Sequence, residues 1–501
     1  MRVVSLAVLL ALGLVGCKGG STMDDQANKN NSGKTGLDNN GVVVDDSDVP
    51  DGLKFLRNQL DVTPSCSTQM EKNKTLLAYL KKSYYWNQDL PEELDNSYAN
   101  KSMSDALASI IAYKNSKTAL AKDKDNFSAL VDYSTFKKSD IDGLKGGYGI
   151  DFQMSNTGDE LLVRQIFPGS PADGKLVRGD KITHIQGKTI SQIVGELKKV
   201  KGYQDSLKAY FIRGWVNKLN HMNIQWKDVS DSEKVGNLAR TDYEIKTVFK
   251  TQLLEVNESG EKTGYLVFNA FESVSESELE SAFAIFRGQE IESLVLDLRY
   301  NGGGSVAIAN QLISQIAGQL KGKPSFSSTY NKEVTSVFED INYPTDGKFG
   351  TTHTTLDTVK KLVVLTSSST CSASELVINA LRAYPSDIEV ITVGSKSCGK
   401  PFGMIPQFMC SSVVYAINSR IVNANNEENY ANTGFAPSCK YSDHSIHADW
   451  GVSGEKGDPL LNAAIYRLEN GSCPAESSIR TLESEPHTTL TIPKMTMDYR
   501  F

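Results

Sequence analysis

The sequence predicts a multidomain α/β protein with a helical region first, a β-rich module in the middle and a strand–helix core last. Its 501 residues exceed one ordinary core, so two or three domains are expected. Strands and helices alternate from residue 241 onward, which is typical of an α/β architecture. Short strands bounded by glycine turns between residues 141 and 195 indicate a separate β-rich module.

The composition is that of a soluble globular protein. Hydrophobic residues make up 39% of the chain and charged residues 23%, and the net charge is −7. A dedicated nucleic-acid or anionic-membrane binder needs a strongly basic face, which this balance disfavours. We therefore expect no nucleic-acid partner.

The first 17 residues resemble a bacterial lipoprotein signal. Arg2 precedes the apolar stretch "VVSLAVLLALGLV", which is too short to span a bilayer comfortably, and "LVGC" ends at Cys17. The resemblance implies acylation of Cys17 and a lipid anchor in the cell envelope of a Gram-negative bacterium. Lys18, where an aspartate would favour retention, indicates the outer membrane. The alternative is a plain secretory signal with a chance cysteine.

The mature chain divides into five segments by composition and periodicity. A polar, glycine- and asparagine-rich stretch without apolar periodicity reads as a flexible tether, and helix-like spacing of apolar residues follows it. The expected segments after the signal are a tether (18–53), an N-terminal helical subdomain (54–140), the β-rich module (141–240), the α/β core (241–480) and a C-terminal tail (481–501).

The β-rich module resembles a PDZ domain of the kind found in bacterial proteases. The resemblance rests on "GGYGIDFQMS" followed by "PGSPADGKLVRGDKI". It implies that Tyr148, Gly149 and Ile150 form a carboxylate-binding loop, beside which a peptide adds as a β-strand. Residues 205–240 fit the pattern poorly, so they are either an insertion or a lengthened final segment of the module.

Two short motifs in the core carry candidate chemistry. In "TCSASE", Ser372 lies where a buried strand meets a helix, so its hydroxyl is near the amide-rich, positive helix N-terminus. Serine is also a favoured helix cap, which is the structural alternative. In "SCGKPFG", Lys400 can act as a base only if its pKa is strongly lowered, and a solvated lysine is the alternative. Lys396 competes by spacing alone.

The glycines of "DLRYNGGGS" end another buried strand. Their amides could donate to an oxyanion, although a simple strand-to-helix turn would use glycines as well. A phosphate-binding loop is disfavoured because no Gly-Lys-Ser/Thr sequence follows.

The order of these motifs after a PDZ-like module resembles the S41 peptidases, the C-terminal processing or tail-specific protease family, over about residues 65–470. The resemblance implies a ClpP/crotonase-like α/β protease core. It also implies that Ser372 is the nucleophile, Lys400 the general base, and the amides of Gly303 and Ala373 the oxyanion hole. The implied activity is serine-type cleavage of polypeptides that bear exposed C-termini, with no cofactor and no metal.

This chain departs from the family pattern near the lysine. The serine-to-lysine spacing of 28 residues is longer than usual, Ala383 stands where an aspartate is often found, and Pro401 replaces a glycine. Met404 occupies the position of the family's supporting glutamine, which leaves Gln407 as the nearest candidate.

Six cysteines remain after Cys17, and export to an oxidising compartment favours some pairing. Their connectivity stays open, with one hypothesis that a disulfide at Cys398 holds the Lys400 loop. Zinc is disfavoured because no CxxC pair occurs, and the close pair His444 and His447 reads as a loop feature.

Two alternatives to a protease remain. One is a non-catalytic peptide-binding scaffold of the same fold, because fold alone does not fix function. The other is an envelope scaffold that uses its PDZ-like module to recruit a separate hydrolase.

Overall fold

The computed structural model describes residues 36–37, 43–44 and 46–475, apart from gaps at 156, 201, 205–206, 257–260, 442, 444–445, 447–448 and 455–456. The expected signal with Cys17, most of the tether, His444 and His447, and the tail after 475 lie outside the described residues. Within the described part, no helix is both long and apolar enough to cross a bilayer.

The N-terminal region contains the helices α1 to α4 and three short strands. Thr68 caps the first long helix by accepting from the Glu71 amide, and the Glu71 carboxylate accepts from the Thr68 amide in return. The elements of this region are β1 (Gly36–Leu37), β2 (Val43–Val44), α1 (Phe55–Gln59), α2 (Gln69–Ser83), α3 (Met103–Lys117), β3 (Ala129–Asp132) and α4 (Tyr133–Phe136).

The middle region is a β-rich unit with its own buried core. Its elements are β4 (Leu144–Gly147), β5 (Ile150–Met154), β6 (Leu161–Ile166), β7 (Lys181–Ile185), β8 (Lys188–Thr189), α5 (Ile190–Leu197), α6 (Lys208–Val216), β9 (His221–Lys227), β10 (Glu233–Ala239) and β11 (Thr241–Glu244). The sheet order is β10-β9-β7-β6-β5, which leaves β5 at an edge. Because β9 pairs with β7, residues 221–227 continue this sheet.

The third region is an α/β core built on the sheet β12-β13-β14-β17-β18-β23, whose strands are parallel from β13 onward. Its elements are β12 (Val248–Val256), β13 (Glu261–Phe268), α7 (Ser275–Phe286), β14 (Ser293–Asp297), α8 (Val306–Ile316), β15 (Pro324–Tyr330), α9 (Lys332–Asp340), β16 (Asp346–Lys348), β17 (Lys361–Thr366), α10 (Ala373–Arg382), β18 (Glu389–Gly394), β19 (Phe402–Met404), β20 (Gln407–Met409), β21 (Ser412–Tyr415), β22 (Ile417–Asn423), β23 (Cys439–Lys440) and α11 (Pro459–Asn470).

Both faces of the central sheet are buried, which explains its near-continuous apolar strands. Leu294 and Leu296 of β14 face one hydrophobic cluster together with α7, α8 and α10, whereas Val295 faces a second cluster that includes α11. Successive strand residues point to opposite faces. Because β14, β17 and β18 are adjacent and parallel, the segments that follow them emerge side by side at the carboxyl end of the sheet.

Two pairings cross the segment boundaries that composition predicts. β3 lies within the expected helical subdomain but pairs with β21 of the core, and β11 lies within the expected core but pairs with β4 of the middle unit. The regions are thus joined by shared strands.

Candidate active site

Three loops meet at the carboxyl edge of the central sheet. β14, β17 and β18 are adjacent parallel strands, and they lead to residues 301–304, 371–372 and 395–400 respectively. This edge is where open α/β sheets usually hold their functional groups. The structure therefore brings the three sequence motifs of the core together.

Ser372 forms a sharp turn between its strand and its helix. Its backbone has a φ of 54°, in the left-handed region that non-glycine residues rarely adopt, and α10 begins at the next residue. Such strained conformations persist where the surrounding structure enforces them, and they cluster at functional sites. The Ser372 amide donates to the Glu375 carboxylate at 3.0 Å, so the capping interpretation of "SASE" is correct for Glu375.

Gly303 lies directly against this turn. Its φ is 102°, and a Cβ at this position would lie 2.8 Å from both the Cys371 carbonyl oxygen and Ser372 Cβ, and 3.0 Å from the Ala373 nitrogen. Only glycine allows the two loops to approach so closely. The structure thus brings Gly303 and Ala373 beside Ser372, as the sequence predicts.

The Gly303 amide is already engaged in this structure. It donates to Asn301 Oδ1 at 2.9 Å, and Asn301 is itself fixed because its Nδ2 donates to the Phe268 carbonyl and its own carbonyl accepts from the Cys371 amide. A role for Gly303 as an oxyanion donor consequently requires that its amide exchange this partner.

Glu375 joins the serine turn to the lysine loop. Its buried carboxylate accepts from Ser397 Oγ at 2.6 Å, from the Gly399 amide at 2.7 Å and from the Lys400 amide at 2.8 Å, besides the Ser372 amide. Burial raises the pKa of Glu375, and these hydrogen bonds oppose that rise. One side chain thereby fixes the backbones of both candidate catalytic residues.

A disulfide makes a second link between the same two loops. Cys371 immediately precedes Ser372 and is bonded to Cys398, which lies two residues before Lys400. The other pairs are Cys66–Cys410 and Cys439–Cys473, so the structure gives the connectivity that sequence left open and places a disulfide at Cys398. Cys371, Glu375 and Cys398 lie close together, but the two sulfurs are bonded to each other and offer no thiolate to a metal.

The amine of Lys400 lies near a thioether and an aromatic ring. Its Nζ lies 3.6 Å from Met404 Sδ and 5.6 Å from the centre of the Phe127 ring. Burial lowers the pKa of Lys400 from 10.5 to about 8, while the negative charges of Asp125 and Glu375 oppose that fall. The amine can therefore lose its proton near neutral pH. Lys396, the competitor by spacing, is exposed.

The structure does not support Gln407 as the residue that assists Lys400. The Gln407 side chain accepts from the Arg57 amide at 2.8 Å and donates to the Pro406 carbonyl at 2.6 Å. It is buried on β20 and ties the N-terminal region to the core. Sequence proximity suggested Gln407, but the chain turns between β19 and β20 and directs it elsewhere.

The expected carboxylate-binding loop leads into the edge strand β5. Tyr148 is buried and its hydroxyl donates to the Leu219 carbonyl, and Ile150 is the first residue of β5. Gly149 has a φ of 72°, and a Cβ there would lie 2.0 Å from the Ser170 side chain. Arg213 of α6 donates to the Phe152 carbonyl on this same strand.

Sequence reasoning missed several residues of the site. Glu375 is the last residue of the TCSASE motif, and its spacing of three residues from Ser372 is typical of a helix capping box. Asn301 follows the DLR segment directly and could have been suspected as a side-chain partner of the glycine turn. Phe127 lies far from the motifs in sequence, and no local pattern marks it.

Comparison with known proteins places a peptidase family in the core region. Residues 262–441 match the model of Peptidase family S41, so the chain carries an S41 peptidase domain. Its relatives include the chloroplastic carboxyl-terminal-processing peptidase 3 of Arabidopsis thaliana, which is 26% identical over 72% of this chain and 66% of the relative. A probable CtpA-like serine protease of Staphylococcus aureus is 27% identical over 61% of this chain and 54% of the relative.

The fold has a counterpart among solved structures. A putative S41 protease from Bacteroides fragilis superimposes with a TM-score of 0.59 and 21% identity, covering 78% of this chain and 96% of that one. At this identity, the likeness establishes the α/β fold. The chain spans roughly one half to two thirds of the length of the curated relatives above.

Proposed function

We propose that this chain is a serine-type endopeptidase in which Ser372 is the nucleophile and Lys400 the general base. The observation that carries the proposal is the connection of these residues through Glu375, which accepts from both of their backbone amides. The lowered pKa of Lys400 supports it, since a neutral amine is needed to accept a proton. The S41 domain and the protease relatives favour the same activity.

The reaction begins when neutral Lys400 Nζ takes the proton of Ser372 Oγ. The resulting alkoxide attacks the peptide carbonyl. The oxyanion that forms accepts hydrogen bonds from the Ala373 amide and from the Gly303 amide, which must first break its hydrogen bond to Asn301 Oδ1. Protonated Lys400 then donates to the departing amine, which leaves an acyl group on Ser372. Water hydrolyses this ester, with Lys400 again accepting a proton.

We further propose that the middle unit is a PDZ-like module that captures substrate C-termini. Its edge strand β5 would accept an extended peptide, and the backbone amides of the segment Tyr148–Ile150 would bind the terminal carboxylate. The Arg213 guanidinium donates a hydrogen bond to the Phe152 carbonyl in this structure. A peptide that pairs with β5 at this carbonyl must take the place of Arg213 as the donor. A relative described as a carboxyl-terminal-processing peptidase is consistent with such substrates.

The proposed site of action is the envelope of a Gram-negative bacterium, with the chain anchored in the outer membrane through acylated Cys17. The motif ending at Cys17 supports this proposal. Fatty-acid labelling of the wild type and its loss in Cys17→Ala, together with membrane fractionation, tests it directly.

Cleavage of an unfolded protein with an exposed C-terminal tail tests the activity. Wild type should cut it, Ser372→Ala and Lys400→Ala should not, and the matched controls Ser368→Ala and Lys396→Ala should remain active because both control residues are exposed. Tail binding without cleavage by pure wild type would support the scaffold alternative. Cleavage that persists in Ser372→Ala would refute the assigned nucleophile.

A further inference from the structure

A residue of the N-terminal region lies beside the amine of Lys400. The Phe127 ring lies 5.6 Å from Lys400 Nζ and packs against Phe402, whose ring centre is 6.0 Å away. Phe402 is buried and lies two residues after Lys400. The surroundings of the proposed base are thus formed partly by the segment that connects α3 to β3.

Asp125 holds Phe127 in place. Its Oδ1 accepts from the Phe127 amide at 2.8 Å and from the Ser128 amide at 2.9 Å, and its Oδ2 accepts from Tyr84 at the end of α2 at 2.8 Å. The backbone of Asp125 is clamped by Asn115 of α3, whose side chain bonds its amide at 2.9 Å and its carbonyl at 2.7 Å. Two helices therefore fix where the Phe127 ring lies.

We propose that Phe127 and Asp125 are positioning residues with opposite effects on the protonation of Lys400. Phe127 favours the neutral amine by keeping water from it, and Asp125 favours the protonated amine by its negative charge. This inference rests on the proposed function, because it concerns the base of that reaction. Two charged groups that act on Lys400 are Asp125, from the segment before β3, and Glu375, from α10. Both carboxylates favour the protonated amine, and the apolar cover favours the neutral one.

The opposing effects of apolar contact and negative charge determine the fraction of Lys400 that is neutral and able to accept a proton. With a pKa of about 8, Lys400 is neutral in roughly one molecule in ten at pH 7, as the value and the definition of pKa require. A return to the ordinary value of 10.5 would reduce that fraction roughly 300-fold. At pH 7, each unit of change in the pKa of Lys400 alters the neutral fraction about tenfold.

The test is a direct titration of Lys400 that needs no turnover. The full-length protein is labelled with trace acetic anhydride across a pH series, and mass spectrometry follows acetylation of Lys400. Phe127→Ala should move the midpoint upward from about 8 toward 10.5, and Phe127→Leu, which keeps an apolar cover, should move it little. Asp125→Asn should move it downward, because the amide oxygen can still accept from the two backbone amides while the charge is lost.

The matched control is Tyr113→Ala, an exposed aromatic on α3, which should leave the midpoint unchanged. If the two residues acted only by stabilising the fold, both Phe127→Ala and Asp125→Asn would open the site and shift the midpoint upward. Such a common shift, or an unchanged midpoint in Phe127→Ala, overturns the inference. If the protein cleaves no substrate, the proposed function fails separately, and the titration still decides this point.

Discussion

Lys400 sets the expected pH dependence of the activity. As the proposed base, Lys400 must be neutral to accept the serine proton, and burial lowers its pKa to about 8. The rate constant kcat/KM should therefore rise with pH and level off above about 8. Initial rates on a short peptide from pH 5 to 10 measure this profile, and a profile that levels off below pH 6 would contradict the assignment of Lys400.

Individual residues differed in how far sequence could predict them. The resemblance to the S41 peptidases pointed to Ser372, Lys400, Gly303 and Ala373, and the structure brings their loops together because those loops follow adjacent parallel strands. The environment of Lys400 was not predictable, since Phe127 reaches it through tertiary packing. Nearness along the chain suggested Gln407, whose side chain hydrogen-bonds the Arg57 amide and the Pro406 carbonyl in the structure.

At the scale of structural elements, Glu375 connects the start of α10 to the lysine loop. Glu375→Gln should lower kcat by roughly 10–100-fold with a small change in KM, because an amide cannot accept all four donors and hydrogen bonds to a charged group are worth about 1.5–3 kcal/mol. Steady-state kinetics measures it. A fully active Glu375→Gln would show that the loop holds its position without the carboxylate.

The Cys371–Cys398 disulfide ties the same elements covalently. We expect the double variant Cys371→Ala/Cys398→Ala to lose kcat, because the lysine loop gains freedom relative to Ser372. The control is Cys439→Ala/Cys473→Ala, which removes a disulfide that joins neither loop. Equal effects of the two double variants on kcat would mean that general stabilisation, and not positioning, explains the loss.

Element types were largely predictable, but their partners were less so. Strand–helix alternation after residue 241 correctly indicated the α/β core, since its strands are buried runs and its helices are amphipathic. β3 and β11 crossed the expected boundaries because each pairs with a strand that is distant in sequence. Local composition carries no information on such pairing.

At the scale of the whole molecule, a buried ionic cluster joins the middle unit to the core. Arg178 of the middle unit and Arg299 after β14 both donate to Asp458 at 2.8 Å, and Asp458 also caps α11. Burial raises the pKa of Asp458, but the two guanidinium groups outweigh it and hold that pKa well below 3.8. The stabilisation is therefore present above about pH 4 and is lost as the pH falls.

Asp458→Asn should decrease the free energy of unfolding by roughly 3–5 kcal/mol at pH 7, because it leaves buried arginine charge less compensated while the amide can still cap the helix. Denaturant unfolding at pH 7 and pH 3 measures the change. The difference between variant and wild type should shrink at pH 3, and an equal difference at both values would contradict the charge-based account.

The most direct test of the central claim is labelling of the full-length protein with a serine-directed fluorophosphonate, followed by peptide mapping. We expect one adduct on Ser372, a labelling rate that rises with pH through about 8, and loss of labelling in Lys400→Ala but not in Lys396→Ala. Labelling of another residue, or an unchanged rate in Lys400→Ala, would contradict it.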